Sequence, residues 1–213
     1  MKNTKILEML KQNRIEELIA ELQDEIFRES LKTKPNAKKR YTAMKRYLKT
    51  ISDSRPILIK PCPINFEGND YNAFTNGFSL ALTTENCGEI EMCSEPERYP
   101  DVTRLIPLGG KEGKIDFNRV LADAKSKGYK YSKNAIYSND YLMRYKGAYF
   151  RIALVDITYG ILDDGQEINV WFNGEHKPLI IKNDIGMGII MPVRYYLDEP
   201  NHIAIIDVEE RYS

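Results

Sequence analysis

Between Lys32 and Thr50 stand eight Lys or Arg and no Asp or Glu, in a chain of 213 residues that balances at 31 basic against 31 acidic. The chemistry open to such a run is electrostatic: it can neutralise phosphate or carboxylate groups. Helix geometry sorts the run. At 100° per residue, Lys38, Lys45 and Lys49 line one flank, and Lys39 and Arg46 extend it towards the back. Ala37, Tyr41, Met44, Leu48 and Ile51 share an arc of about 80° on the side that should pack. Unpaired lysines four apart, such as Lys45 and Lys49, repel by a few tenths of a kcal/mol, so some compensating use is expected. A negatively charged partner would supply it; the alternatives are solvent, or a cover formed by the acidic helix that precedes.

Catalytic chemistry is hard to find. Neither GxxxxGK[ST] nor GxGxxG occurs, and "LGGKEGK" from Leu108 lacks the closing Ser/Thr of a phosphate cradle. A nucleophile would need a base, and His176 and His202 both lie in turn-like settings. Asp163-Asp164 precede Gly165, where Asp is an expected turn former. Cys62, Cys87 and Cys93 form no CxxC pair, which favours reduced thiols in a cytoplasm over disulfides or zinc. Tyr41 and Tyr47 among the basic residues, and Tyr129 and Tyr131 beside Lys130 and Lys133, have the interleaving used to stack single strands, although half-buried tyrosines read the same way. The expectation is no catalytic residue, no metal, no cofactor and no enzyme.

The elements that must carry the cationic flank follow from period and punctuation. Residues 14–31 read as a helix with Ile15, Leu18, Ile19, Leu22 and Ile26 apolar and Glu16, Glu17, Glu21, Asp24 and Glu25 around them. Pro35 breaks it, and Asn36 is placed to cap a second helix to about Ile51. "RPILIKP", "YNAFTNGFSLALTT" and "GEIEM" read as strands, with a tight turn at Asn76-Gly77. "IDFNRVLADAKSKG" is a helix capped near Asp116 and stopped by Gly128. "NAIYSNDYLMRYKG" alternates like strands, and "AYFRIALVDITYGIL" has helical spacing. "QEINVWFN", "KPLIIKN" and "MGIIMPVRYY" are strands, and "NHIAIIDVEERYS" adds an edge strand with an acidic end. The order predicts an α+β fold with antiparallel sheets and packed helices. Residues 1–35 form an acidic helical extension and 36–213 the main domain, or two abbreviated half-domains meeting near 99–110. No apolar run approaches the roughly 20 residues of a membrane span.

Charge is segregated in blocks. Five basic and seven acidic residues lie in 1–29, eight and none in 30–52, four and nine in 53–110, ten and four in 111–151, and four and eleven in 152–213. Such alternation predicts a molecule with two different faces.

Three stretches together resemble the bacterial sliding clamp, the beta subunit of DNA polymerase III. "AMKRYLKTISDSRPILIKPCPINFEGNDYNAFTNGFSLAL" is similar to the first half of a clamp domain, where a helix leads through a Ser-Arg-Pro-Ile-Leu-like junction to a Thr-Asp-Gly-x-x-Leu-Ala turn. Here that turn reads Thr75, Asn76, Gly77, Phe78, Ser79, Leu80, Ala81. "YPDVTRLIP" from Tyr99 to Pro107 resembles the clamp's interdomain Phe-Pro-Asp-Tyr-Arg-Arg-Val-x-Pro, and Met191, Pro192, Val193 and Arg194 match its Met-Pro-Met/Val-Arg strand.

The resemblance implies a DNA-clamp-like fold and a processivity role in replication, in bacteria or a bacterial virus. Family helices line a ring with Lys and Arg facing DNA phosphates, which would give that role to Lys38, Lys39, Lys45, Arg46 and Lys49, and a weaker second lining to Arg119, Lys125 and Lys127. It also implies an apolar pocket for clamp-binding peptides of replication proteins, at Thr75, Gly77, Leu80, Pro107, Met191, Pro192, Val193 and Arg194. Family chains have three domains, and the "YPDVTRLIP" piece follows the turn too soon for a full one, so encircling DNA would need a homo-oligomer. The alternative is a protein-interaction module on the same fold that does not encircle DNA.

Overall fold

A computed structural model describes residues 6, 9–10, 14–51, 54–106, 109–166, 168–195 and 203–208. Among the described residues, four helices, α1 (Ile15–Thr33), α2 (Ala37–Leu48), α3 (Phe117–Ser126) and α4 (Ile152–Leu162), are joined by short 3-10 turns and ten strands, and Ile6, Met9 and Leu10 are helical as well. The strands are β1 (Cys62–Phe66), β2 (Asn69–Thr75), β3 (Ser79–Thr83), β4 (Lys111–Lys114), β5 (Tyr141–Tyr145), β6 (Ala148–Arg151), β7 (Asn169–Phe172), β8 (Leu179–Asn183), β9 (Gly186–Ile190) and β10 (Ala204–Asp207). Seven form one antiparallel sheet in the order β1-β2-β3-β9-β8-β7-β4, and three form a second, β10-β5-β6. The β3–β9 pair, with Leu80 opposite Ile189, puts strands from both sides of the 99–110 stretch into one sheet. The α+β class with antiparallel sheets and packed helices is as the sequence pattern predicts. At the C-terminal end β10 is an edge strand, and it runs parallel to β5.

The centre of the molecule is α4. Nine of its eleven residues are buried, the mark of a helix enclosed on all sides. It packs on β3, β8 and β9, and also on α2. Two glycines allow these approaches. A Cβ at Gly188 would stand 2.7 Å from Thr158 of α4, and one at Gly160 would stand 3.0 Å from the Cβ of Ala43 in α2. Tyr47 of α2 reaches past α4 to the sheet: it is wholly buried and donates its hydroxyl to Ser79 O at 2.7 Å.

Several expectations need correction. "RPILI" is a 3-10 turn at Pro56–Ile59, not a strand, since Pro56 opens it with no amide to donate. "GEIEM" is turn and loop, without a strand partner. "NAIYSNDYLMRYKG" holds a 3-10 turn at Lys133–Tyr137 before β5. "AYFRIALVDITYGIL" divides into β6 and then α4, because a run of β-branched and apolar residues satisfies both periods. The second helix ends at Leu48, and Asn36 precedes it in a left-handed conformation without a side-chain cap. Its Nδ2 instead donates to Asp163 Oδ1 at 2.9 Å. On α1 the apolar stripe does not pack: Leu18 and Phe27 are buried, whereas Ile15, Ile19, Leu22 and Ile26 are 50%, 48%, 36% and 66% exposed.

The three cysteines are free and buried. Burial pushes the thiol of Cys87 up to about 12 and that of Cys62 to about 11, from an ordinary value of 9.0. It also raises the phenols of Tyr47, Tyr99, Tyr129 and Tyr159. The folded chain therefore holds protons that the unfolded chain has released above about pH 9, so stability is full below that pH and falls as pH rises towards 11–12. Urea midpoints should decline between about pH 9 and pH 11, and native thiols should resist alkylation that is complete in denaturant. A midpoint that is flat or rising over this range would contradict the assignment.

Candidate nucleic-acid interface

The cationic flank of α2 is set by what the opposite face buries. Ala37, Arg40, Ala43, Met44 and Tyr47 turn inward, which leaves Lys38, Lys39, Lys45 and Lys49 exposed. Lys39 Nζ lies 3.8 Å from Asp163 Oδ2, and Lys45 Nζ sits 4.3 Å over the Tyr41 ring. Among the described residues, no carboxylate is in ion-pair range of Lys38, Lys45 or Lys49. The acidic helix α1 does not cover them. It packs on α2 edge-to-face through Phe27 and Tyr41, with centroids 4.9 Å apart. Arg46 is differently placed: it pairs with Asp156 at 2.9 Å and lays its guanidinium 3.8 Å over the Tyr131 ring. Asp156 also accepts from the Tyr129 hydroxyl at 3.1 Å.

Two concavities gather the cations. A groove of about 450 Å³ between α2, α3 and α4 is bordered by Lys38, Lys39, Arg46 and Lys125, with Asp156 and Asp163 in its wall. Asp116 starts α3 by accepting from Arg119 N at 3.0 Å, and Phe117, Val120, Leu121 and Ala124 anchor it, so that Lys125 faces this groove. Arg119 and Lys127 are not part of the groove wall; Lys127 Nζ donates to Ile205 O at 2.9 Å and lies 3.7 Å from Asp123. On the other side of α2, a depression of about 530 Å³ has Leu48, Ile51 and Ile59 as its floor and Lys45, Lys49 and Lys133 as its rim. Lys133 was not among the cations predicted for this surface, because only the fold brings it beside α2. Tyr47 and Tyr129 are buried, and Tyr41 and Tyr131 are half-buried with Lys45 and Arg46 over their rings, so the four interleaved tyrosines present no open row of ring faces.

The second predicted group divides in two. Thr75 and Leu80 are buried beside Gly77, and Met191 joins them by donating its N–H to Phe78 O at 3.0 Å. The Arg55 guanidinium occupies the space that a side chain at Gly77 would need. Met191 is shared by both halves: with Pro192, Val193 and Arg194 it borders a cavity of about 560 Å³ that Tyr149, Glu175 and His176 also line. Pro107, like His202, lies outside the described residues. The turn itself is fixed by Asn76, whose Oδ1 accepts from Phe78 N and Ser79 N, both at 3.0 Å. Asn76 Nδ2 donates to Thr50 Oγ1 at 3.1 Å, a bond an ionised Asp could not make. The residue that departs from the Thr-Asp-Gly pattern thus ties the turn to the end of α2.

Among the described residues no cluster of His, Cys, Asp and Glu could hold a metal ion, and no helix is long and apolar enough to cross a membrane. No family model and no curated protein matches the chain. Among solved structures, it is similar to the DNA polymerase III beta subunit of Thermotoga maritima, at 11% identity and a TM-score of 0.49, over 74% of this chain and 63% of that one. The DNA polymerase sliding clamp of Bacillus subtilis gives 14% and 0.49, over 76% and 64%. The beta subunit of Borrelia burgdorferi gives 12% and 0.48, over 74% and 62%. These solved structures are sliding clamps, and the chain spans a little under two thirds of their length.

Proposed function

We propose that this protein is a non-enzymatic, clamp-like replication accessory that holds DNA by its phosphates without reading sequence. The observation that carries the reading is the exposed flank of Lys38, Lys45 and Lys49, which has no carboxylate partner among the described residues and is continued by Lys125 and Lys133 from two other elements. Lysines strung along an exposed helix flank suit a backbone of repeating charges. The sliding-clamp motifs around the Asn76 turn support the same role, with 36–213 as the clamp-like unit and 1–35 as an added acidic segment. Clamp-binding peptides would meet residues 191–194 at the cavity wall.

Binding to a duplex of arbitrary sequence should weaken steeply with salt, each neutralised phosphate adding about 0.9 to the log–log slope. Lys45→Glu with Lys49→Glu should cut affinity at low salt by about tenfold or more and reduce the slope by about 1.8. Fluorescence anisotropy over a salt series measures both. Affinity unchanged in the double variant, or no binding at low salt, would rule the interface out. A second reading, an interaction module on the same fold, is favoured by the exposed stripe of α1, and absence of DNA binding in any buffer would select it.

A further inference from the structure

Among the described residues, two apolar surfaces without a partner are complementary to each other. Ile15, Ile19, Leu22 and Ile26 of α1 are exposed at alternating steps of four and three, within an arc of about 60°. Glu16 and Glu29 border the stripe, and α1 as a whole carries six Asp or Glu against two Lys or Arg. The depression beside α2 has the opposite character, an aliphatic floor of Leu48, Ile51 and Ile59 under three lysines. Greasy acidic ridge and greasy basic hollow match in both polarity and charge.

The two cannot meet within one chain. Phe27, by which α1 meets Tyr41 edge-to-face, is about 80° around the helix from the nearest member of the stripe, so the stripe points to the side of its own α2 and not onto it. Nor do two stripes suit one another, since that arrangement sets the acidic borders of both copies face to face. We propose that the occupant is a second copy: α1 of one chain lays its stripe into the Leu48–Ile51–Ile59 depression of the next, with Lys45, Lys49 and Lys133 facing its carboxylates. Such a contact is heterologous, so each docked copy leaves one stripe and one depression open, and the series grows or closes into a ring. A docked copy covers Lys45, Lys49 and Lys133, so at these lysines it competes with DNA.

Sedimentation equilibrium of the full chain at low salt tests it. Average mass should rise with concentration beyond a single chain and fall when salt is added. Ile19→Glu with Ile26→Glu, both at exposed positions, should sediment at monomer mass, and so should Ile59→Glu with Lys133→Glu. Mixing these two variants should restore a one-to-one dimer and nothing larger, because one keeps only the depression and the other only the stripe. Unchanged thermal melts confirm that both variants are folded. A wild-type chain that is monomeric throughout overturns the proposal and leaves the stripe to a different, basic partner. Assembly that survives in the depression variant overturns it in favour of stripe-on-stripe pairing, and a mixture that stays monomeric overturns it outright.

Discussion

Arg40→Ala is expected to lower the free energy of unfolding by about 3–5 kcal/mol, the range for removing one member of a buried ion pair. The Arg40 side chain is 3% exposed and lies 3.2 Å from Glu85 Oε2. It also donates to Pro35 O at 2.6 Å and to Asp163 O at 3.2 Å. One guanidinium thus joins the α1–α2 junction, the end of α4 and the segment after β3. Its loss strands two carbonyls and a carboxylate, although Lys34, 3.3 Å from Glu85, keeps the carboxylate partly compensated. That partner moves the expected loss towards the lower end of the range. Arg40→Met, which keeps bulk but not donors, should fall between the wild type and alanine. Denaturant melts of Arg40→Met with and without Glu85→Gln would give the coupling, expected above about 1 kcal/mol. An Arg40→Met chain within about 0.5 kcal/mol of the wild type would show that the network contributes no stability.

Tyr47→Ala should cost a similar amount, about 3–5 kcal/mol, for a different reason. The ring is wholly buried and meets Phe74 edge-on at 6.1 Å, so its removal leaves a cavity in the core. Tyr47→Phe separates packing from hydrogen bonding. Its hydroxyl bonds Ser79 O at 2.7 Å and Ser79 Oγ at 2.8 Å, yet Ser79 O also accepts from Thr75 Oγ1 at 3.0 Å. The carbonyl is therefore not orphaned, and phenylalanine should lose only about 1 kcal/mol. Thermal or urea unfolding of the two variants measures the split. Equal losses would mean that the polar network, not the ring, sets the position of α2.

What could be read in advance was what is local. The flank of Lys38, Lys45 and Lys49 was legible because a helix wheel depends only on neighbours in sequence, and the chain satisfies it. The Asn76-Gly77 turn and β7 to β9 were legible for the same reason, each having alternation bounded by turn formers. Arg40 shows where such reading stops: it stands in a run of cations, and only the fold supplies Glu85 and Asp163 to accept it inside. Lys133 and Lys125 reach α2 through elements far along the chain, which no spacing rule anticipates. α1 shows the converse. Its stripe was plain in the sequence, but amphipathicity says that a face wants cover, not that the same chain provides it.

The borders of the large sheet bear on how this chain behaves when crowded. Its outer strands are β1, of five residues with an exposed proline at Pro63, and β4, of four residues with Lys111, Glu112 and Lys114 exposed. A proline removes an amide from the free edge, and charges make a foreign strand unwelcome there. On the smaller sheet, Val193 bridges to Tyr149 and occupies the free side of β6. Fibrillar aggregation by strand addition is thus resisted at these margins. Concentrated samples should stay clear of cross-β deposits, and replacing Pro63 or the β4 charges would remove that protection.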